Sequence, residues 1–340
     1  MKGFRLYLIF LFLFVSCQKD PNDSLPSQKE IQSARILSDG IWTRLPDFSG
    51  RTHAVGFSIG NKGYIGTGFF SEPLSDFWEF DLATGSWEQK AAFGGGKRSD
   101  AAAFSIGGKG YIFGGHTEQG ANVVLNDLWE FNPETNVWKR KADLPGSPRS
   151  NAAGLNVDKY GYIGLGITYF KAIVNNCPVD SFKILNDFWQ YDPTTDNWHQ
   201  KASFKGGPRY NAVAFSIGKK GYMGTGESLG ERKADFWEYD PDANSWYRKA
   251  DYLGGPVTEA VGFSIHDLQR GYLGTGTGPP LPQGTKFFEF NPVANGWIQR
   301  ASLPSGLRDG VGFAIGNKGY IGSGFLSNAT REFWEFNSLF

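Results

Sequence analysis

From Arg51 to the end of the chain, apolar and polar positions follow one scheme six times over. Each unit opens with small and apolar residues in alternation, as in His53-Ala-Val-Gly-Phe-Ser-Ile59. A period of two predicts a strand, here strand A. A short polar turn follows, such as Gly60-Asn-Lys-Gly63, Gly107-Gly-Lys-Gly110 or Gly316-Asn-Lys-Gly319, and predicts a hairpin. Strand B is a Gly-Tyr pair running into glycines: Gly63–Gly68, Gly110–Gly115, Gly161–Gly166, Gly221–Gly226, Gly271–Gly276 and Gly319–Gly324. Strand C is an aromatic run, Asp76–Phe80, Asp127–Phe131, Asp187–Tyr191, Asp235–Tyr239, Lys286–Phe290 and Glu332–Phe336. It is almost continuously apolar, which fits a strand covered on both faces. After a turn such as Asp192-Pro-Thr-Thr-Asp-Asn197, strand D starts at a tryptophan: Trp87, Trp138, Trp198, Trp246 or Trp297.

Self-similarity at a period of tens of residues overrides the two-domain expectation that 340 residues would otherwise raise. Four antiparallel strands repeated around an axis make a propeller blade. The sixth unit reaches the chain end at Phe340 without a strand D, and a lone strand D, Ile41-Trp42-Thr43-Arg44, precedes the first strand A. All eleven tryptophans fall in C or D positions. The reading is an all-β, six-bladed propeller of four-stranded blades. Residues Ile41–Arg44 close the ring by pairing with Glu332–Phe336.

The units resemble kelch repeats. Paired glycines end strand B, strand C bears Trp or Tyr, an Asp-Pro or Asn-Pro turn follows, and strand D carries a Trp. Arg-x-x-Ala opens strand A at Arg51, Arg98, Arg149 and Arg209. The fifth unit departs, with Val257 for Arg and Phe288 for Trp. The resemblance implies the fold over about residues 41–340 and leaves the function open, because such propellers include protein-binding modules, sugar-active enzymes and copper oxidases.

Lys2 and Arg5 precede an apolar run, Leu6 to Val15, that is too short to span a bilayer. It ends at Val15-Ser16-Cys17, which resembles a bacterial lipobox, with Phe14 in place of the usual leucine. The expectation is a signal peptide over 1–16, lipidation at Cys17, a polar tether over 17–39 and the propeller over 40–340. Such a protein would be held at the cell envelope, with the membrane as a partner through its lipid anchor. Cys177 is the one other cysteine, so a disulfide framework is ruled out. Lys+Arg and Asp+Glu both number 34. This balance does not supply the basic surface that nucleic acid requires. Nothing in the chain signals oligomerisation, and a monomer is expected.

What repeats is read as scaffold. The glutamates of strand C (Glu79, Glu130, Glu238, Glu289, Glu335) and the cations of strand D (Lys90, Lys141, Lys201, Lys249, Arg300) are expected to form cross-strand ion pairs. Gly60–Gly68 superficially resembles a phosphate loop, but it lacks the Gly-Lys-Ser/Thr ending and recurs in every unit.

Blade-specific positions are where a site can be built. The strand-A starts are expected to surround one mouth of the central channel. Arg51, Arg98, Arg149, Arg209 and Arg308 would stand there, followed two residues on by His53, Asp100, Asn151, Asn211, Glu259 and Gly310. Either the arginines serve the scaffold, bonding carbonyls or pairing with Asp100 and Glu259, or they form an electropositive funnel for an anionic ligand. The B–C loops open on the same face and vary most. They bring His116, Glu118 and Gln119; Tyr169, Lys171, Cys177 and Asp180 of Ile167–Asn186; Glu227 and Glu231-Arg232-Lys233; and Pro279, Pro280 and Pro282.

The expected partner is a glycan or protein recognised at this face without catalysis. The alternative, implied by resemblance to the sialate mutarotases, is a sugar-ring enzyme with Glu227, Glu259 or Asp100 as acid–base group. Desolvation of one carboxylate beside an arginine distinguishes the two, since a binding module needs no such group. A copper oxidase needs two convergent histidines. Here only His53 and His116 approach the mouth; His199 lies in strand D and His266 in an A–B turn, so neither metal nor cofactor is expected.

Overall fold

The computed structural model describes residues 39–117, 123–175, 177–278 and 284–338. Six four-stranded antiparallel sheets succeed one another around an axis, in the order A-B-C-D from the axis outward. The innermost strands are Val55–Ile59, Ala102–Ile106, Ala153–Val157, Val213–Ile217, Val261–Ile265 and Val311–Ile315. Neighbouring innermost strands touch all the way round, and the last meets the first. The signal segment, Cys17, most of the tether, Glu118, Gln119 and the three prolines of the fifth loop lie outside the described residues.

The ring closes as the orphan strand requires. Ile41–Leu45 pairs antiparallel with Phe333–Asn337, placing Trp42 opposite Phe336. The Trp42 indole packs 5.0 Å from Phe287 and from Phe336. Its N–H donates to the carbonyl of Ala301 in blade five at 2.8 Å. The same bond joins Trp138 to Ala91, Trp198 to Ala142, Trp246 to Ala202 and Trp297 to Ala250. Each strand-D tryptophan thus fastens its blade to the one before. Trp87 alone breaks the series, with a buried indole nitrogen that finds no acceptor among the described residues. Its blade follows the closing strand, where Pro46 stands in the place of the acceptor alanine.

The Gly-Tyr pair is explained by blade packing. In strand A the apolar residues turn to the blade interface and the small ones line the channel, as in the burial of Ala102, Phe104 and Ile106. The Phe57 ring lies over Gly110 of the next blade, where a Cβ would fall 2.2 Å from a ring carbon. Phe313 lies over Gly63 in the same way, so the contact crosses the closure seam too. Only glycine leaves room for the ring, and each buried phenylalanine contributes about 1.5–3 kcal/mol.

The strand-C glutamates are scaffold, as their repetition implied. Tyr64 donates to Glu79 at 2.7 Å and Tyr222 to Glu238 at 2.7 Å. Lys90, Lys141, Lys249 and Arg300 lie 2.8–3.8 Å from Glu79, Glu130, Glu238 and Glu289. In blade three Gln190 replaces the glutamate and donates to Tyr162 at 2.6 Å.

Among the described residues, three B–C connections carry extra two-stranded ribbons on the mouth face: Phe69–Phe70 with Glu72–Pro73, Ile167–Val174 with Cys177–Ile184, and Glu227–Ser228 with Glu231–Arg232. The second is long and exposes apolar side chains on both of its faces, Phe170 and Val179 on one and Ile173 and Phe182 on the other.

Candidate functional site

Four of the expected funnel arginines do not line the mouth. Arg51, Arg98, Arg149 and Arg209 are 0–1% exposed. Each grips the aspartate that opens strand C of its own blade: Arg51 holds Asp76 through two bonds of 2.8 and 2.6 Å. Arg98 holds Asp127, Arg149 holds Asp187 and Arg209 holds Asp235 at 2.7–3.0 Å. The same guanidinium donates to the carbonyl of Thr67, Gly114, Leu165 or Thr225. The next tryptophan (Trp78, Trp129, Trp189, Trp237) donates to the aspartate at 2.7 Å. A buried bidentate pair with every oxygen bonded is a stable structural unit, not a free cation. The arginine acceptors are therefore not Asp100 and Glu259, except for Arg308.

Blade six is offset by one residue from the expected alignment. Leu307, not Arg308, stands where the other blades place arginine, and Asp309, not Gly310, completes the ring. The backbone hydrogen bonds fix this offset. The N–H of His53 bonds the carbonyl of Asp309, Asp100 that of His53, Asn151 that of Asp100, Asn211 that of Asn151, and Asp309 that of Glu259, at 2.9–3.2 Å. These six residues share a left-handed backbone, with φ between 52° and 59°. Such a conformation is uncommon outside glycine, asparagine and aspartate. At His53 and Glu259 it accompanies the backbone hydrogen bonds from His53 to Asp309 and from Asp309 to Glu259.

His53, Asp100, Asn151, Asn211, Glu259 and Asp309 line an open cavity of about 140 Å³ at the mouth of the channel. The site is acid-rich on one side and amide-rich on the other. His53 Nε2 lies 3.3 Å from Asp309 and 3.9 Å from Asp100. Asp309 is 5% exposed at its side chain. Burial raises its pKa to about 6; His53 and Arg308 oppose the rise, and Glu259 and Asp100 add to it. Arg308 donates to Glu259 at 2.9 Å and reaches Asp309 at 3.7 Å. Glu259 also accepts from Thr277 at 3.0 Å, and Asp100 from Ser99 at 2.6 Å. Of the expected arginines, Arg308 is the one that stands at the mouth, and it arrives there through the register offset.

A second tier surrounds the first. The residue before each ring member pairs with the residue that ends strand B: Thr52 with Phe69, Ser99 with His116, Ser150 with Ile167, Tyr210 with Glu227, Thr258 with Thr277 and Arg308 with Phe325. His116 therefore stands at the rim, above Asp100 rather than beside His53. Tyr210 donates to Glu227 at 2.9 Å, and burial together with Glu227 lifts its hydroxyl to about 12. Burial, and to a lesser degree the charge of Asp100, raises the hydroxyl pKa of Tyr169. Its neighbour Lys171 pairs with Asp180 across the long ribbon. Cys177 is free and exposed on that ribbon. Among the described residues no group of three His, Cys, Asp or Glu has the arrangement of a metal site.

Sequence reasoning missed Asp309 and Tyr210. The signal for Asp309 was available: it precedes the small residue that leads strand A, as His53 precedes Ala54 and Asp100 precedes Ala101.

A model of the KLHDC2/KLHL20/DRC7 Kelch-repeats domain matches residues 43–208. The N-acetylneuraminate epimerase of Pasteurella multocida (strain Pm70) is 34% identical over 145 residues, covering 40% of this chain and 34% of that protein. The chain thus matches about a third of the length of that curated relative. The solved structure of YjhT superposes with a TM-score of 0.71 at 18% identity, covering 86% of this chain and 95% of that one. At that identity the likeness is one of fold. With kelch repeats matched over residues 43–208 and six four-stranded blades around one axis, the chain folds as a six-bladed β-propeller.

Proposed function

We propose that the mouth binds a hydroxyl-rich sugar acid and moves a proton at its anomeric centre, interconverting the two ring anomers. One observation carries the reading: Asp309 is a desolvated carboxylate with a pKa of about 6, 3.3 Å from an imidazole and 3.7 Å from an arginine. A module that only binds does not need a group tuned to titrate near neutrality, whereas acid–base chemistry does. The name of the relative from Pasteurella multocida supports N-acetylneuraminate as the first substrate to test.

The chemistry needs one proton given and one taken. The imidazolium form of His53 donates to the ring oxygen while the ionised Asp309 accepts the proton of the anomeric hydroxyl. The bond from anomeric carbon to ring oxygen breaks and leaves a carbonyl. Rotation about the adjacent carbon–carbon bond presents the opposite face, and the reverse transfers close the ring. Arg308, partly exposed beside its partner Glu259, is placed to receive the sugar's carboxylate. Asn151 and Asn211 offer donors and acceptors to the hydroxyls, and Tyr169 and Tyr210 supply apolar ring faces above them.

The test is two-dimensional exchange NMR of N-acetylneuraminate, galactose and glucose with catalytic amounts of the full chain. Acceleration confined to the sugar acid is expected, and a weaker apparent affinity is expected for Arg308→Ala. Exchange at the buffer rate for all three sugars removes the reading. A recognition role for glycan or protein is the second reading, favoured by the apolar ribbon that projects from the same face. Envelope anchoring at Cys17 belongs to this proposal as well. Loss of labelled palmitate in Cys17→Ser cells is the expected result.

A further inference from the structure

Blade five carries a second cavity, created where the repeat is broken. In blades one, two and four the strand-A guanidinium lies 4.6–4.9 Å over the ring of Phe48, Phe93 or Phe204. It is enclosed by an aspartate and by a strand-B carbonyl, and in blades two and four also by a glycine carbonyl, at Gly95 and Gly206. In blade five the whole set changes together. Val257 replaces arginine, Lys286 replaces aspartate, Phe288 replaces tryptophan, and Tyr252 replaces phenylalanine. Losing the buried arginine together with its aspartate, with the new lysine exposed, avoids the penalty of a lone buried ion. The backbone positions remain, since Gly254 and Thr275 match Gly206 and Thr225 of blade four.

The result is an open cavity of about 80 Å³ lined by Tyr252, Gly254, Pro256, Val257, Thr275 and Lys286, among others. Tyr252 is 95% buried (5% exposed), and its ring is held edge-on by Phe288 and Trp297 at 5.2 and 5.3 Å. No described side chain hydrogen-bonds its hydroxyl. Lys286 is exposed and forms no ion pair among the described residues.

We propose that this cavity is a binding site for a small planar molecule that bears both N–H donors and a carboxylate. Each part follows from what the other blades place there. The space above Tyr252 corresponds to the one a stacked guanidinium fills over Phe48, Phe93 or Phe204, so a flat ligand suits it. The peptide carbonyls that accept guanidinium N–H groups in blade four are retained in kind, so N–H donors suit it. The charge at the strand-C position is inverted, so the ligand's charged arm is an anion rather than a cation. The unpartnered Tyr252 hydroxyl gives the ligand one further donor or acceptor.

Orotate, a flat ureide with a carboxylate, is the probe. Uracil lacks its carboxylate and benzoate lacks its N–H groups. Saturation-transfer NMR and calorimetry on the full chain compare the three. Orotate is expected to bind at least tenfold more tightly than either control. Lys286→Ala is expected to weaken it about tenfold, and Val257→Arg with Lys286→Asp, which rebuilds the pair of blades one to four, is expected to abolish it. The rebuilt variant has the chemistry of blade four and is expected to fold, as circular dichroism would check. Lys286→Ala is a surface change that keeps the test open if the rebuilt variant does not fold. Equal binding of orotate by wild type and either variant, equal affinity for a control, or no binding of orotate overturns the proposal. Sugar exchange at the mouth is read separately and is expected to be unaffected by these variants.

Discussion

Asp309→Asn makes the protein more stable at neutral pH, and this follows from the burial of the carboxylate. Its pKa rises from 3.8 to about 6 in the fold. The folded state therefore binds the proton more tightly than the unfolded chain. The stabilisation from protonation is complete below the unfolded value and is lost as pH rises through about 6. Above that, the ionised group costs roughly 3 kcal/mol, since each pKa unit is about 1.4 kcal/mol. The side chain is 5% exposed, so solvent screening removes little of this. Asparagine is nearly isosteric and carries no charge. The gap between variant and wild type should thus widen in the variant's favour by about 2.4 kcal/mol between pH 4 and pH 7.5, because pH 4 already lies just above the unfolded value. Any packing change common to both pH values cancels in the difference. Urea unfolding followed by tryptophan fluorescence at the two pH values measures it. A gap that changes by less than about 0.5 kcal/mol means that Asp309 ionises like an exposed aspartate, and the acid–base role loses its basis.

Arg98→Ala should destabilise by about 3–5 kcal/mol, because it strands Asp127 in a site with 13% side-chain exposure; thermal denaturation reads the loss, and ligand affinity at low temperature should be unchanged. Trp138→Phe should lose about 1 kcal/mol with its bond to Ala91, whereas Trp87→Phe should lose less, its nitrogen having no partner to forfeit; the contrast is measured in parallel urea titrations. Gly110→Ala should cost about 1–3 kcal/mol, since its Cβ would fall 2.2 Å from the Phe57 ring; Phe57→Leu in the same chain should recover part of that loss.

The blade was legible because it is repeated, and repetition averages out local ambiguity. Trp42 announced its partner strand through a mismatch of ends, which needs no knowledge of packing. The glutamate–lysine pairs were legible for the same reason. The arginines misled because position in a strand does not reveal direction. Arg51 starts a strand near the axis, yet its guanidinium turns into its own blade toward Asp76. The chain held the clue in its exceptions: where arginine is lost, at Val257 and Leu307, the aspartate is lost too, to Lys286 and Glu332. Asp309 was hidden by a neighbour. Arg308 looked like the repeated arginine and shifted the alignment by one residue, which concealed the most perturbed carboxylate of the mouth. The B–C ribbons were visible only as variable segments, because pairing such as Lys171 with Asp180 depends on a register that short loops do not encode.

The most direct measurement is the rate of anomer exchange of N-acetylneuraminate at pH 7.5, with the full chain and with Asp309→Asn at equal concentration. The account predicts exchange well above buffer with the wild type. It predicts a fall of about 100-fold or more in the protein-dependent rate with the variant, as expected when a proton-transfer group is removed, while the variant stays folded. An Asp309→Asn protein that exchanges the anomers as fast as the wild type would contradict it, as would a wild type no faster than buffer.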